Sequence, residues 1–135
     1  MASRLLAKQI EHDNAVVRIA KSCWSSVKGR VYTNPDSQRN CSVKYREQEV
    51  YPDIVAVAEE SNMVQFVGEV ETAETVTEAE APQWKLYAKL GSGCHLYVPR
   101  GMQAAAMSLL RGVAGVTVWH YSCDASGSLT VARAT

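Results

Sequence analysis

Residues 51–72 read YPDIVAVAEESNMVQFVGEVET. Two apolar runs lie here, separated by the polar stretch Glu59-Glu60-Ser61-Asn62. In the second run Val64, Phe66 and Val70 alternate with Gln65, Glu69 and Glu71, the period of a strand. The stretch therefore reads as two β-strands joined by a hairpin connection. Asp53 opens the first strand, and Glu69 and Glu71 close the second. These carboxylates are either solvated strand ends or a group that converges on a metal ion.

Strand geometry separates the two readings. Alternate residues of a strand face alternate sides, so Glu69 and Glu71 share a side, and Asp53 shares one with Val55 and Val57. In an antiparallel hairpin, residues directly opposite one another share a face. Asp53 opposite Glu69 puts Ser61 at the apex. A symmetric two-residue turn at Glu60-Ser61 would put Asp53 on the wrong face. The metal reading thus predicts an odd-length connection or a β-bulge. Carboxylates held close together raise one another's pKa, and a cation relieves the repulsion. Mg²⁺ takes oxygen ligands and keeps several waters, so one or two protein carboxylates suffice to hold it.

The rest of the chain supplies helices around these strands. Residues 3–24 read as a helix, with Leu6, Ile10, Val17, Ala20 and Trp24 recurring at helical steps. A second row, Leu5, Val16, Ile19 and Cys23, widens the stripe, and His12 lies in it. KGRVYTNPDSQRN is a short strand running into a loop with the turn chemistry of Asn34-Pro35-Asp36-Ser37. SVKYREQEVYPDIVAVAEE holds one or two strands. TEAEAPQWKLYAKLG is a helix with a Thr77/Glu80 capping box, or one that starts nearer Pro82, and Gly91 suits its end. GCHLYVP is a strand and GMQAAAMSLLRG a helix. VTVWHYSCD and SLTVARA form a last hairpin around Asp124-Ala125-Ser126-Gly127. The expected fold is α/β, a central mixed sheet flanked by helices.

Length and composition bound the function. At 135 residues, 1–135 fits a single domain. No apolar run reaches the roughly 18–20 residues needed to cross a bilayer, and the charged N-terminus lacks the apolar core of a signal peptide. A cytoplasmic protein without a membrane partner is the expectation. Cys23, Cys41, Cys94 and Cys123 lack zinc-finger spacing and read as free thiols. The spacing of Cys94 and His95 relative to His120 and Cys123 requires no metal site. Net charge is zero, so nucleic-acid binding would need a local basic patch. Lys28, Arg30, Arg39, Lys44 and Arg46, all before Pro52, could form a phosphate-contacting edge or an ordinary solvated face.

Pro52-Asp53, an apolar hairpin and Glu69-Val70-Glu71 together resemble the PD-(D/E)XK nuclease superfamily, and the element order over residues 3–121 agrees. Gln83-Trp84-Lys85-Leu86-Tyr87 is similar to the Q-x-x-x-Y motif of its RecB-like members, with Gln83 and Tyr87 on one helical face. Pro35-Asp36 lacks a following apolar run and reads as a decoy. The resemblance implies a restriction-endonuclease-like fold. It also implies Mg²⁺ or Mn²⁺ held by Asp53, Glu69 and the Val70 carbonyl, with hydrolysis of DNA through a metal-activated water. Gln83 and Tyr87 would support the site. Glu11, His12 and Asp13 are candidates for a further group on the first helix, with Glu11 favoured and His12 read as a half-buried, satisfied histidine.

One departure stands out. The superfamily's lysine is replaced by Glu71, which carries no positive charge and could instead orient water or hold a second metal. Lys85 should point away from the Gln83–Tyr87 face, and Lys44 or Arg100 would have to reach the site from neighbouring segments. Three expectations follow. The first is a metal-dependent deoxyribonuclease, acting as a homodimer if it cuts duplex DNA. The second is a catalytically inactive member that binds DNA or protein. The third is an unrelated α/β interaction domain.

Overall fold

The computed structural model describes residues 6–134, so the part of the first expected helix at residues 3–5 lies outside the described residues. α1 (Leu6–Cys23) buries His12, Ala15, Val16 and Ile19, one stripe at helical spacing. Burying a side chain such as Ile19 stabilises the fold by roughly 1.5–3 kcal/mol. The row of Leu6, Ile10 and Val17 faces outward instead. The apolar pattern of the helix is broad enough for two faces, and packing selected the one that carries His12.

A six-stranded sheet follows in the order β1-β4-β5-β6-β7-β8. β4 (Ile54–Val57) lies between β1 (Arg30–Thr33) and β5 (Val64–Val70) and runs antiparallel to both. β5, β6 (Cys94–Pro99) and β7 (Val116–Cys123) are parallel, and β8 (Leu129–Arg133) returns antiparallel. The segment ahead of Pro52 makes a separate hairpin, β2 (Val43–Tyr45) with β3 (Gln48–Val50). Its turn places Arg46 at φ 57. No glycine or asparagine announces that left-handed residue, so the sequence does not mark the break between β2 and β3.

The parallel strands are joined by α2 (Ala81–Tyr87) and α3 (Gln103–Leu109). Both helices share one core with the sheet, through Trp84 and Ala81 of α2, Ala106 of α3, and Leu96, Val98 and Val118. α1 covers the opposite face, over Ile54, Ala56, Val70, Tyr97 and Tyr121. The chain is thus a single α/β domain built on a mixed sheet between helices. The expected Thr77/Glu80 capping box is not the start of α2. Glu80 occupies the N-cap and Pro82 the first turn, where its missing N–H costs nothing. No helix among the described residues is long and apolar enough to cross a membrane.

Close approach requires glycine at Gly68 and Gly91, among other positions. A Cβ on Gly68 would lie 2.8 Å from the Trp24 ring. At Gly91 (φ 56), a Cβ would meet the Gln65 carbonyl oxygen at 2.4 Å.

Candidate metal centre

β5, β6 and β7 end at one edge of the sheet, and β4 begins there. The carboxyl ends of parallel strands are where α/β sheets commonly bind ligands. Asp53 precedes β4, and Glu69 and Glu71 come at the end of β5, so the topology gathers all three at this edge.

Register brings Asp53 and Glu69 face to face. Ile54 pairs with Gly68, Val55 with Val67 and Ala56 with Phe66, but Val57 pairs with Val64. The one-residue slip is a bulge, the device that the convergence of Asp53 and Glu69 required. Gln65 is the residue skipped, and its carbonyl accepts from Ser92 N at 2.7 Å and Ser92 Oγ at 2.9 Å. A carbonyl removed from the ladder thus keeps partners, and the close turn at Gly91 makes room for them.

The carboxylates are not solvated strand ends. Asp53, Glu69 and Glu71 are 5%, 6% and 1% exposed. The Asp53 amide donates to Glu69 Oε1 at 3.0 Å, and the Val70 amide donates to Asp53 Oδ2 at 2.8 Å. Burial, together with the charges of Asp53 and Glu71, pushes the Glu69 carboxyl well above the usual carboxylate range. Among the described residues, no lysine or arginine forms an ion pair with Asp53 or Glu69. Among the described residues, the basic group facing this pair is the His12 imidazole, 3.1 Å from Asp53 Oδ2.

Glu71 differs. Its Oε2 accepts from the Trp84 indole at 2.6 Å and its Oε1 from Thr75 Oγ1 at 2.8 Å. Its backbone is pinned as well, by Glu71 N to the Tyr97 carbonyl at 2.9 Å and by Tyr121 Oη to the Glu71 carbonyl at 2.6 Å. Burial raises its carboxyl to about 7 against the pull of the Trp84 indole. Both carboxylate oxygens already accept hydrogen bonds from the protein.

α1 reaches the site through His12 rather than Glu11. Glu11 is exposed and bonds Lys8 Nζ at 3.2 Å. His12 is fully buried, with Nε2 3.1 Å from Asp53 Oδ2 and Nδ1 3.0 Å from Asp13 Oδ1. Asp36 Oδ2 lies 3.5 Å from the same Nδ1. Donor atoms of His12, Asp36 and Asp53 all lie within 4.8 Å of one another. Pro35-Asp36 starts no strand, as the sequence indicated, yet its carboxylate arrives at the site.

Side-chain-to-backbone bonds deliver it. Asp13 accepts from the amides of Asp36 (2.7 Å) and Ser37 (3.2 Å). Asn34, only 4% exposed, donates to the carbonyls of Cys41 (2.6 Å) and Pro52 (2.7 Å) and accepts from the amides of Asn40 and Cys41. Asn34 N also bonds the Asp53 carbonyl at 2.8 Å. The loop is thereby tied directly to the Pro52-Asp53 backbone. Sequence reasoning passed over Asn34 and Asp36, and the turn chemistry of NPDS was the signal that could have marked them.

On the other side of the sheet edge, Gln83 Nε2 donates to Tyr87 Oη at 2.7 Å, so the two residues do share a helical face. Burial and the neighbouring Glu69 charge keep the Tyr87 hydroxyl protonated. Lys85 is exposed, as expected. Arg100 is exposed in a different cavity with Glu11 and Arg18, and Lys44 is registered across β2–β3 from Glu49. Cys94 packs with Val67 and Tyr87, whereas His95 contacts Trp24, Phe66 and Trp119, so these neighbours belong to opposite faces. All four cysteines are free thiols.

The convergent donors, carboxylate oxygens from Asp53 and Asp36 and an imidazole nitrogen from His12, suit a hard or borderline divalent cation, and Glu69 adjoins this group through the Asp53 amide. The Asp13 carboxylate on His12 Nδ1 matches the outer partner that metal-bound histidines usually have. No protein-family model, curated protein or solved structure matches the chain.

Proposed function

We propose that this chain is a metal-dependent nuclease of the PD-(D/E)XK type, hydrolysing DNA phosphodiester bonds. The observation that carries the reading is the buried Asp53–Glu69 pair at the sheet edge, joined across the bulged hairpin and faced by His12. A restriction-endonuclease-like arrangement is supported by the order of helix, antiparallel strands, crossover helix and parallel strands.

Asp53, Glu69 and the Val70 carbonyl would hold the cation, with His12 and Asp36 as added donors. An imidazole among the carboxylates favours Mn²⁺ over Mg²⁺. Bound there, the cation would acidify a water and offset the charge that builds on a phosphoryl group. Asp13 orients the His12 ring, and Val70 N holds Asp53 Oδ2 in place. The protonated Tyr87 hydroxyl, which accepts from Gln83 Nε2, supplies a hydrogen-bond donor near the Glu69 charge.

A second reading rests on Glu71. It stands where the superfamily has lysine, and Trp84 and Thr75 already bond both of its oxygens. A chain that keeps the acids but lacks the lysine fits a non-catalytic DNA- or protein-binding member. Calorimetric titration with Mn²⁺ and Mg²⁺ tests the common ground. Binding lost in both Asp53→Ala and Glu69→Ala supports one metal site, and binding indifferent to both substitutions removes it. Cleavage of plasmid and single-stranded DNA by the metal-loaded protein then separates the two readings. Sedimentation with and without duplex DNA tests the homodimer.

A further inference from the structure

The basic residues ahead of Pro52 have different surroundings. Arg30 is committed to its own fold, donating to the carbonyls of Ala58 and Ser61 and to Asn62 Oδ1. Arg46 lies over Tyr45 at the outer turn of the β2–β3 hairpin. Arg39 is placed elsewhere. Its guanidinium carbon sits 4.5 Å from the centre of the Tyr51 ring, two residues before Asp53.

The Arg39–Tyr51 pair walls a cleft of about 260 Å³ completed by Gln48, Val50, Gln83 and Tyr87. A neighbouring cavity of about 360 Å³ shares Gln48, Val50, Gln83 and Tyr87 and extends along α2. Together they form an open groove whose floor includes Tyr87, the residue that feels the Glu69 charge. Glu49 also lines the cleft and is registered opposite Lys44 on the hairpin. The groove therefore offers a guanidinium, two side-chain amides and two phenols, with the Glu49 and Glu80 carboxylates also on its walls.

We propose that Arg39, held over the Tyr51 ring, binds a phosphate of a single nucleic-acid strand lying in this groove. This assignment rests on the nuclease reading for the identity of the ligand. A guanidinium stacked on an aromatic ring keeps its N–H fork free for phosphate oxygens, and the stacking restricts its conformations. Arg39 is a positioning residue for the strand and takes no part in holding the metal.

The test is fluorescence anisotropy with a labelled single-stranded DNA oligonucleotide, in Ca²⁺ to prevent cleavage, on wild type, Arg39→Ala, Arg39→Lys and Tyr51→Leu. Arg39→Ala should weaken binding about tenfold. It should also make the slope of log affinity against log salt shallower by about 0.7, the value for one phosphate contact on a single strand. Arg39→Lys should restore the salt slope but only part of the affinity, and Tyr51→Leu should weaken binding about threefold. Mn²⁺ affinity should stay within about twofold of wild type in all of them. Equal oligonucleotide affinity and salt slope in wild type and Arg39→Ala overturns the assignment, as does a wild type with no oligonucleotide affinity. The metal titrations of Asp53→Ala and Glu69→Ala judge the nuclease reading separately, since Arg39 contacts neither residue.

Discussion

The chain contains two Pro-Asp pairs, and both carboxylates meet at His12 by different routes. Asp53 arrives by secondary structure, at the mouth of a buried strand, with a backbone amide from Val70 on its oxygen and its own amide on Glu69. Asp36 arrives by tertiary ties, on an irregular loop held down by Asp13 and Asn34. The first route fixes the carboxylate through a hydrogen-bonded ladder. The second depends on a few side chains, each replaceable. Strand-borne donors are therefore expected to dominate the site, and loop-borne ones to tune it.

The comparison breaks if the two aspartates prove equivalent. Asp53→Asn should lower Mn²⁺ affinity by more than about 100-fold, and Asp36→Asn by about tenfold, both read by calorimetry. Equal losses would mean that the loop carboxylate is as firmly placed as the strand one.

Asn34→Ala sharpens it. The substitution leaves the Cys41 and Pro52 carbonyls and the Asn40 and Cys41 amides without their side-chain partner. It should cost about 2–3 kcal/mol in urea unfolding. Metal affinity should fall to the level of Asp36→Asn, because the loop that carries Asp36 is released.

The acidity of the site gives a third measurement. Glu71 has an ordinary value of 4.5 and is raised to about 7 in the fold, and Glu69 is also raised. The folded state thus binds these protons more tightly than the unfolded chain. The contribution of Glu71 is fully present below its unfolded value and is lost as pH rises through about 7, and that of Glu69 falls in the same direction. Metal-free protein should lose on the order of a few kcal/mol across that window, seen as a falling Tm. Added Mn²⁺ should flatten the fall in wild type, and Asp53→Asn should remove that rescue. A Tm that rises with pH in metal-free protein would contradict the buried acidic pair.

The smallest effect is expected at Glu11. Glu11→Ala should leave Mn²⁺ affinity within about twofold of wild type, since its carboxylate pairs with Lys8 in solvent. A large loss there would restore Glu11, the acid favoured by the family resemblance, over His12.

The edge of the sheet was legible in residues 51–72 because strand alternation is a local property. The faces of Asp53 and Glu69 follow from period two, and their convergence demanded the bulge that the register contains. The Gln83–Tyr87 pair followed from helical spacing in the same way. The first helix was less legible. Its apolar residues cover more than one face, so periodicity alone could not choose between the row of Ile10 and that of His12.

Sequence by itself determined the order of elements apart from the β2–β3 hairpin, the strand that carries Asp53, the strand that carries Glu69 and Glu71, and the absence of lysine at the Glu71 position. Tertiary structure alone decided that His12 faces Asp53, that Asp36 joins them, and that Glu71 is bonded by Trp84 and Thr75. The reason is range. Periodicity sets the direction of a side chain within its own element. Contacts such as His12 with Asp53, 41 residues apart, depend on how elements pack across the core.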